Sequence, residues 1–211
     1  PPLFWILGLA GAAVAVGSRA PTRTGPRTIL LVGDSHWASA GTLGAQLQSR
    51  LKAQGHTVNR LAMYGKGVLG PRDSAWFTDE NQRLQRALQT MRPDLVIVGL
   101  GANDAWGHGT ARTAQERETL KREYQQALRN FAGIIQQSGA DLVWLGPSAV
   151  DDANFERARQ KIRNYQQETL GNVWIDTLPM TRNLPRTDGA HYASAEYAQW
   201  AQRLLAGPLS S

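Results

Sequence analysis

Four short segments hold the side chains with the most chemical potential: Gly33-Asp34-Ser35, Tyr64-Gly65-Lys66-Gly67-Val68, Gly101-Ala102-Asn103-Asp104 and Asp188-Gly189-Ala190-His191. A serine hydroxyl is a weak nucleophile until a base takes its proton, and acyl transfer also needs donors aimed at the developing oxyanion. His191 is the candidate base for Ser35. Asp188, three residues earlier, is spaced to orient the imidazole and stabilise its protonated form. The candidate oxyanion donors are the Ser35 backbone N–H, the Asn103 side-chain amide and a glycine N–H from the 65–67 segment. The pattern predicts a two-step acyl transfer with Ser35, Asp188 and His191 as a triad and no cofactor.

Such residues must be brought together by the elements before them. Thr28 to Val32 is an uninterrupted apolar run ending in Gly33, as in a strand covered on both faces of a parallel sheet. Asp94 to Leu100 and Asp141 to Leu145 repeat the pattern, and Thr57 to Met63 and Val173 to Asp176 are shorter versions of it. Helical stretches are predicted at roughly 41–54, 79–91, 113–138, 152–169 and 194–206. This alternation predicts a three-layer α/β/α, flavodoxin-like domain with about five parallel strands and right-handed crossovers. Ligands of such sheets bind beyond the carboxyl ends of the strands, where each of the four segments falls.

The chain has 211 residues and no cysteine, so disulfides, thiolate metal sites and a cysteine nucleophile are excluded. Its length suits one α/β domain with a short appendage. The appendage is predicted at residues 1–18, an uncharged, apolar stretch read as a membrane-anchoring helix in contact with lipid through residues 3–17. Residues 19–27 read as a linker and 28–211 as the catalytic domain. The formal net charge is +6, but Arg19, Arg23 and Arg27 precede residue 28 without any acid, leaving 20 bases against 17 acids in the remainder. The excess is read as a juxtamembrane basic cluster, and no nucleic-acid partner is expected. By the positive-inside rule the domain would lie on the cytoplasmic side, so a cell envelope and a virion membrane both remain open.

The ordered set Gly33-Asp34-Ser35, Gly101-Ala102-Asn103-Asp104 and Asp188-Gly189-Ala190-His191 resembles blocks I, III and V of the SGNH (GDSL-like) hydrolases. The resemblance covers residues 28 to 206 and implies a serine esterase or lipase-like fold without a metal. It implies Ser35 as nucleophile, Asp188 and His191 as its partners, and Ser35, Asn103 and one block II glycine as the oxyanion hole. Of Gly65 and Gly67, Gly67 is preferred.

Other readings attach to the same residues. Ser35 could cap a helix, Asp34 could bond loop amides, Asn103 could be a turn residue and Asp104 a helix cap. His56 reads as surface, whereas His36 and His108 read as possible cleft walls. Trp37 and Trp106 follow site motifs and are predicted to stack on substrate. Gly65 to Gly70 spells a dinucleotide fingerprint, but it follows the second strand and runs into Pro71. Asp34-Ser35-His36 could also open a two-metal phosphoesterase site, yet the later motifs of such enzymes are absent from the sequence. The expected substrate is an O-acetylated glycan of the bacterial envelope, with a lysophospholipid as the alternative. A non-catalytic, membrane-anchored component of a larger assembly is the alternative of another class.

Overall fold

Ile29-Leu30-Leu31-Val32 is buried on both faces and forms the middle of strand β1, Thr28–Gly33. The computed structural model describes residues 25–69, 76–106 and 113–210. β1 pairs in parallel with β2, Thr57–Ala62, on one side and with β3, Leu95–Gly99, on the other. β4, Asp141–Leu145, and β5, Trp174–Ile175, extend the sheet to the order β2-β1-β3-β4-β5. β1, β2 and β3 end in register, with Gly33 opposite both Ala62 and Gly99. The loops that follow therefore leave the sheet side by side.

The period-2 alternation of strand side chains divides the central strands between two cores. Leu30, Val32, Val96, Val98 and Trp144 pack with Leu84 of α3 (Trp76–Met91), Leu128 of α4 (Ala114–Gln137) and Ile162 of α5 (Ala153–Leu170). Ile29, Leu31, Leu95 and Ile97 face the other way. They meet Trp37 of α1 (Ser35–Ala38), Leu47 of α2 (Leu43–Ala53) and, beyond the short helix α6 (Leu178–Thr181), Leu204 of α7 (Ser194–Leu205). Each such buried aliphatic side chain contributes about 1.5–3 kcal/mol. The expected five parallel strands between two helical layers are thus observed.

Local chemistry sets the helix starts. Thr113 and Glu116 form a reciprocal capping box before α4, and the Asp152 carboxylate accepts the Phe155 N–H at the start of α5. The stretch expected at 41–54 is α2, and a short helix that was not expected, α1, precedes it. α1 lasts a single turn because Arg60 Nη1 takes the Trp37 and Ser39 carbonyls at 2.8 and 3.0 Å, and Gly41 then turns the chain at φ +79°. β5 is two residues long, since Gly171–Val173 forms a 3-10 turn in place of its predicted start. The helix α6 had no periodic signal. It is held by tertiary partners, with Thr177 Oγ1 donating to the Gly146 carbonyl at 2.7 Å.

The expected membrane helix at 1–18 and most of the 19–27 linker lie outside the described residues. Among the described residues no helix is long and apolar enough to cross a membrane. Arg27, grouped by sequence with the juxtamembrane arginines, belongs to the fold instead. Its Nη2 meets Asp141 Oδ2 at 2.5 Å and the Asp94 carbonyl at 3.1 Å, and its N–H donates to His56 Nδ1 at 3.0 Å. His56 is accordingly half-buried at the base of the sheet.

Candidate active site

Ser35, at the end of β1, and His191, in the loop before α7, meet at 2.8 Å between Oγ and Nε2 across 156 positions of sequence. The other ring nitrogen, Nδ1, lies 2.8 Å from Asp188 Oδ2. The three groups thus form one continuous line from hydroxyl to carboxylate. Asp188 Oδ1 accepts the backbone N–H groups of His191 at 2.7 Å and Ala190 at 3.0 Å. The His191 backbone N–H and imidazole, with the Ala190 N–H, hold the Asp188 carboxyl well below the usual carboxylate range. An ionised Asp188 selects the tautomer with hydrogen on Nδ1, leaving the Nε2 lone pair toward Ser35.

The 187–191 loop is braced from both sides. Thr187 N–H donates to the His191 carbonyl at 2.8 Å, Asp151 N–H donates to the Gly189 carbonyl at 2.8 Å, and Arg186 Nε meets Asp151 Oδ1 at 2.5 Å. Asp151 and Arg186 had no motif to mark them.

Asp34 and His36, which flank the serine, turn inward. Asp34 accepts the His36 N–H at 3.0 Å and is 2% exposed. Burial pushes its carboxyl up to about 7, against the pull of the His36 N–H and the Arg159 guanidinium. His36 Nδ1 lies 2.8 Å from the Tyr197 hydroxyl, and its ring is 5.0 Å from that of His191. Burial, reinforced by the positive Arg159 and by His191, drives the His36 imidazole well below its ordinary value. Among the described residues no group of three or more His, Asp or Glu side chains could hold a metal ion. Asp34 is instead a helix cap. His36 is a buried wall behind His191, and His108 lies outside the described residues.

Asn103 Nδ2 donates to the Lys66 carbonyl at 2.8 Å, which joins the loop after β3 to the loop after β2 and leaves the second amide hydrogen for another acceptor. Asp104, read from sequence as a helix cap, directly precedes the helical residues 105 and 106. Its carboxylate accepts the Val68 and Leu69 N–H groups at 2.7 and 2.9 Å, holding the same loop again. A Cβ on Gly67 would come within 2.5 Å of that carboxylate, so the clamp requires glycine there. Gly65 has open space around it and a φ of +66°, as in an exposed turn. Gly67, not Gly65, is the glycine packed against the Asn103-Asp104 loop.

The two tryptophans part company. Trp37 is 2% exposed and lies over the ends of β1 and β3, where a Cβ on Gly33 or Gly99 would collide with its ring at 2.1 or 2.2 Å. The expectation that Trp37 stacks on substrate is therefore overturned: its indole is a core side chain. Trp106 is 66% exposed, with its ring centroid 4.5 Å from that of Phe155.

A family model described as a protein of unknown function, DUF459, matches residues 28–205. The chain belongs to the DUF459 family. No curated protein sequence matches it. The DUF459 chain has the fold of an acetylxylan esterase from Geobacillus stearothermophilus, solved as a catalytic mutant, at a TM-score of 0.63 and 16% identity over 85% of this chain and 93% of that one. It is also similar to the acetyl xylan esterase AlAXEase, with a TM-score of 0.59 and 16% identity over 85% and 98% of the two chains. A lipase/acylhydrolase from Enterococcus faecalis aligns with a TM-score of 0.57 and 20% identity over 84% and 95%. The fold that the resemblance to the SGNH hydrolases implies is thus shared with these esterases.

Arg159, Tyr197 and Phe155 were not singled out by sequence. Arg159 is 3% exposed and donates to the Ser148 carbonyl at 2.9 Å, and its guanidinium lies 5.0 Å from the Phe155 ring centre. The one available signal was their place just inside α5 and α7. That is a weak signal, because helical positions of either kind are common in any such fold.

Proposed function

We propose that this DUF459 protein is a serine esterase that removes O-acetyl groups from a glycan. The observation that carries the reading is the unbroken line from Ser35 Oγ through the His191 ring to Asp188, with 2.8 Å at each junction. In the first step Ser35 Oγ attacks the ester carbonyl while His191 Nε2 takes its proton. The Asp188 carboxylate stabilises the imidazolium that results, without itself taking the proton. The oxyanion is assigned to the Ser35 and Gly67 N–H groups and the spare amide hydrogen of Asn103. His191 then protonates the departing sugar oxygen, leaving an acetyl-serine. Water, deprotonated by the same ring, releases acetate and restores the enzyme.

Support for the substrate class comes from the fold neighbours, two of which are acetylxylan esterases. Catalytic mutants of the Geobacillus enzyme replace a serine, an aspartate and a histidine three positions after that aspartate, the spacing of Asp188 and His191 here. The apolar stretch at 3–17, followed by Arg19 and Arg23, supports tethering of the domain to a membrane.

The test is hydrolysis of p-nitrophenyl acetate by the full chain and by Ser35→Ala, each with and without EDTA. Activity that is lost in Ser35→Ala and indifferent to EDTA is expected. Activity that survives Ser35→Ala would overturn the mechanism, and sensitivity to EDTA would point to a metal-dependent hydrolase.

A further inference from the structure

We propose that the esterified sugar is presented as part of a glycan chain, with Tyr64 and Trp106 as stacking platforms on opposite sides of Ser35. This rests on the esterase reading and deepens it, from a glycan substrate to the two side chains on which the sugars flanking the esterified one would rest. Among the described residues, Tyr64 and Trp106 are the exposed large hydrophobic side chains, at 65% and 66% exposure. Single exposed aromatics need no explanation on their own. These two share an end of the sheet with the candidate active site, and both are immobilised from behind.

Tyr64 follows β2 and Trp106 follows β3, and in the sheet order β2-β1-β3 the strand leading to Ser35 lies between them. Adjacent strands are about 4.8 Å apart, so the loops after β2 and β3 emerge about 10 Å from each other before their side chains spread further. A single sugar ring placed at Ser35 would not reach both platforms, whereas its neighbours in a chain would.

The Tyr64 hydroxyl is hydrogen-bonded to Ser39 Oγ, and the Ser39 carbonyl is held by Arg60 Nη1 at 3.0 Å and Thr42 Oγ1 at 2.7 Å. Trp106 rests on Phe155, which is backed by the buried Arg159 guanidinium. A ring held this way loses little conformational entropy when a ligand covers it, which is what a binding platform requires. The same strand ends carry polar groups: Lys66 after β2, Ser35 after β1 and Asn103 after β3. Two separate ring faces with polar groups at the same strand ends suit sugars, which offer C–H faces and hydroxyls in alternation. An acyl chain would need continuous apolar surface.

The experiment compares O-acetylated xylo-, manno- and N-acetylglucosamine oligosaccharides with the corresponding acetylated monosaccharides, using the full-length chain. At least one oligosaccharide should have a kcat/KM about tenfold or more above its monosaccharide, a ratio equal to about 1.4 kcal/mol. Tyr64→Ala and Trp106→Ala should each reduce that advantage several-fold, and Trp106→Phe should restore part of it. Binding of the same oligosaccharides to Ser35→Ala, followed by tryptophan fluorescence, reads the platforms without catalysis. Ester hydrolysis with no oligosaccharide preference, or a preference that survives both alanine substitutions, would overturn the proposal and leave the esterase intact. Oligosaccharide binding that is weakened by Tyr64→Ala in a chain that hydrolyses no ester would uphold the platforms and sink the esterase reading.

Discussion

Two aspartate–histidine pairs stand back to back at the carboxyl end of the sheet, and their rings touch: His191 and His36 are 5.0 Å apart. Asp188 and His191 sit on an open loop, with side chains 57% and 39% exposed. Asp34 and His36 are buried beneath, at 2% and 5% exposure. In the outer pair, local N–H donors favour the carboxylate anion, so Asp188 stays charged. In the inner pair, desolvation moves both groups toward neutrality, raising the acid and lowering the imidazole. The two aspartates are thus pushed in opposite directions. The proton transfer proposed for this site falls to the pair near water with backbone donors on its anion, and the buried pair packs behind it.

The sharpest way to break this contrast is to remove each histidine in turn. His191→Ala should cost on the order of 10⁶ in kcat for p-nitrophenyl acetate, whereas His36→Gln should stay within about tenfold of wild type. Equal losses in kcat would show that the two rings act as a unit. For the acids, Asp188→Asn should lower kcat by about 10⁴ through the wrong His191 tautomer. A normal rate in that variant would mean that Asp188 is only a turn residue.

The tryptophans extend the inner-versus-outer contrast to stability. Trp37→Ala should cost about 3–5 kcal/mol in chemical denaturation. Trp106→Ala should cost less than about 1 kcal/mol. A reversed order would place Trp37 outside the core.

The same contrast predicts a pH dependence of folding. Asp34 holds its proton in the folded state up to about pH 7, but in the unfolded chain only to its ordinary value of 3.8. Between those limits the folded state binds more protons, so this group's contribution favours folding below 3.8 and is lost as the pH rises toward 7. Asp34→Asn should therefore flatten the fall in Tm over that range. An unchanged slope would assign the pH dependence elsewhere.

Much of the architecture was legible because its signals are local. Buried parallel strands carry unbroken apolar runs, as in Ile29 to Val32, and capped helices announce themselves, as Thr113 and Glu116 do. The candidate site segments were visible for the same reason, each being a short motif just past a strand. Trp37 misled because its motif neighbours are polar. Its direction was set by the bare backbone of Gly33 and Gly99, and Gly99 lies on another strand. Asp104 was only half legible: its place before the helical residues 105 and 106 is local, but the Val68 and Leu69 N–H groups that its carboxylate also takes lie more than thirty positions away.

By itself the sequence determined the alternation of strands and helices, the order of the chemically capable segments and the three-residue spacing of Asp188 and His191. Periodicity and short-range spacing are properties of the chain. Only the tertiary structure decided which histidine meets Ser35, which aspartate keeps its charge, which tryptophan is exposed and which glycine lies against the Asn103-Asp104 loop. Those outcomes depend on burial and on hydrogen-bond partners from distant segments, and both come into being only when the layers pack.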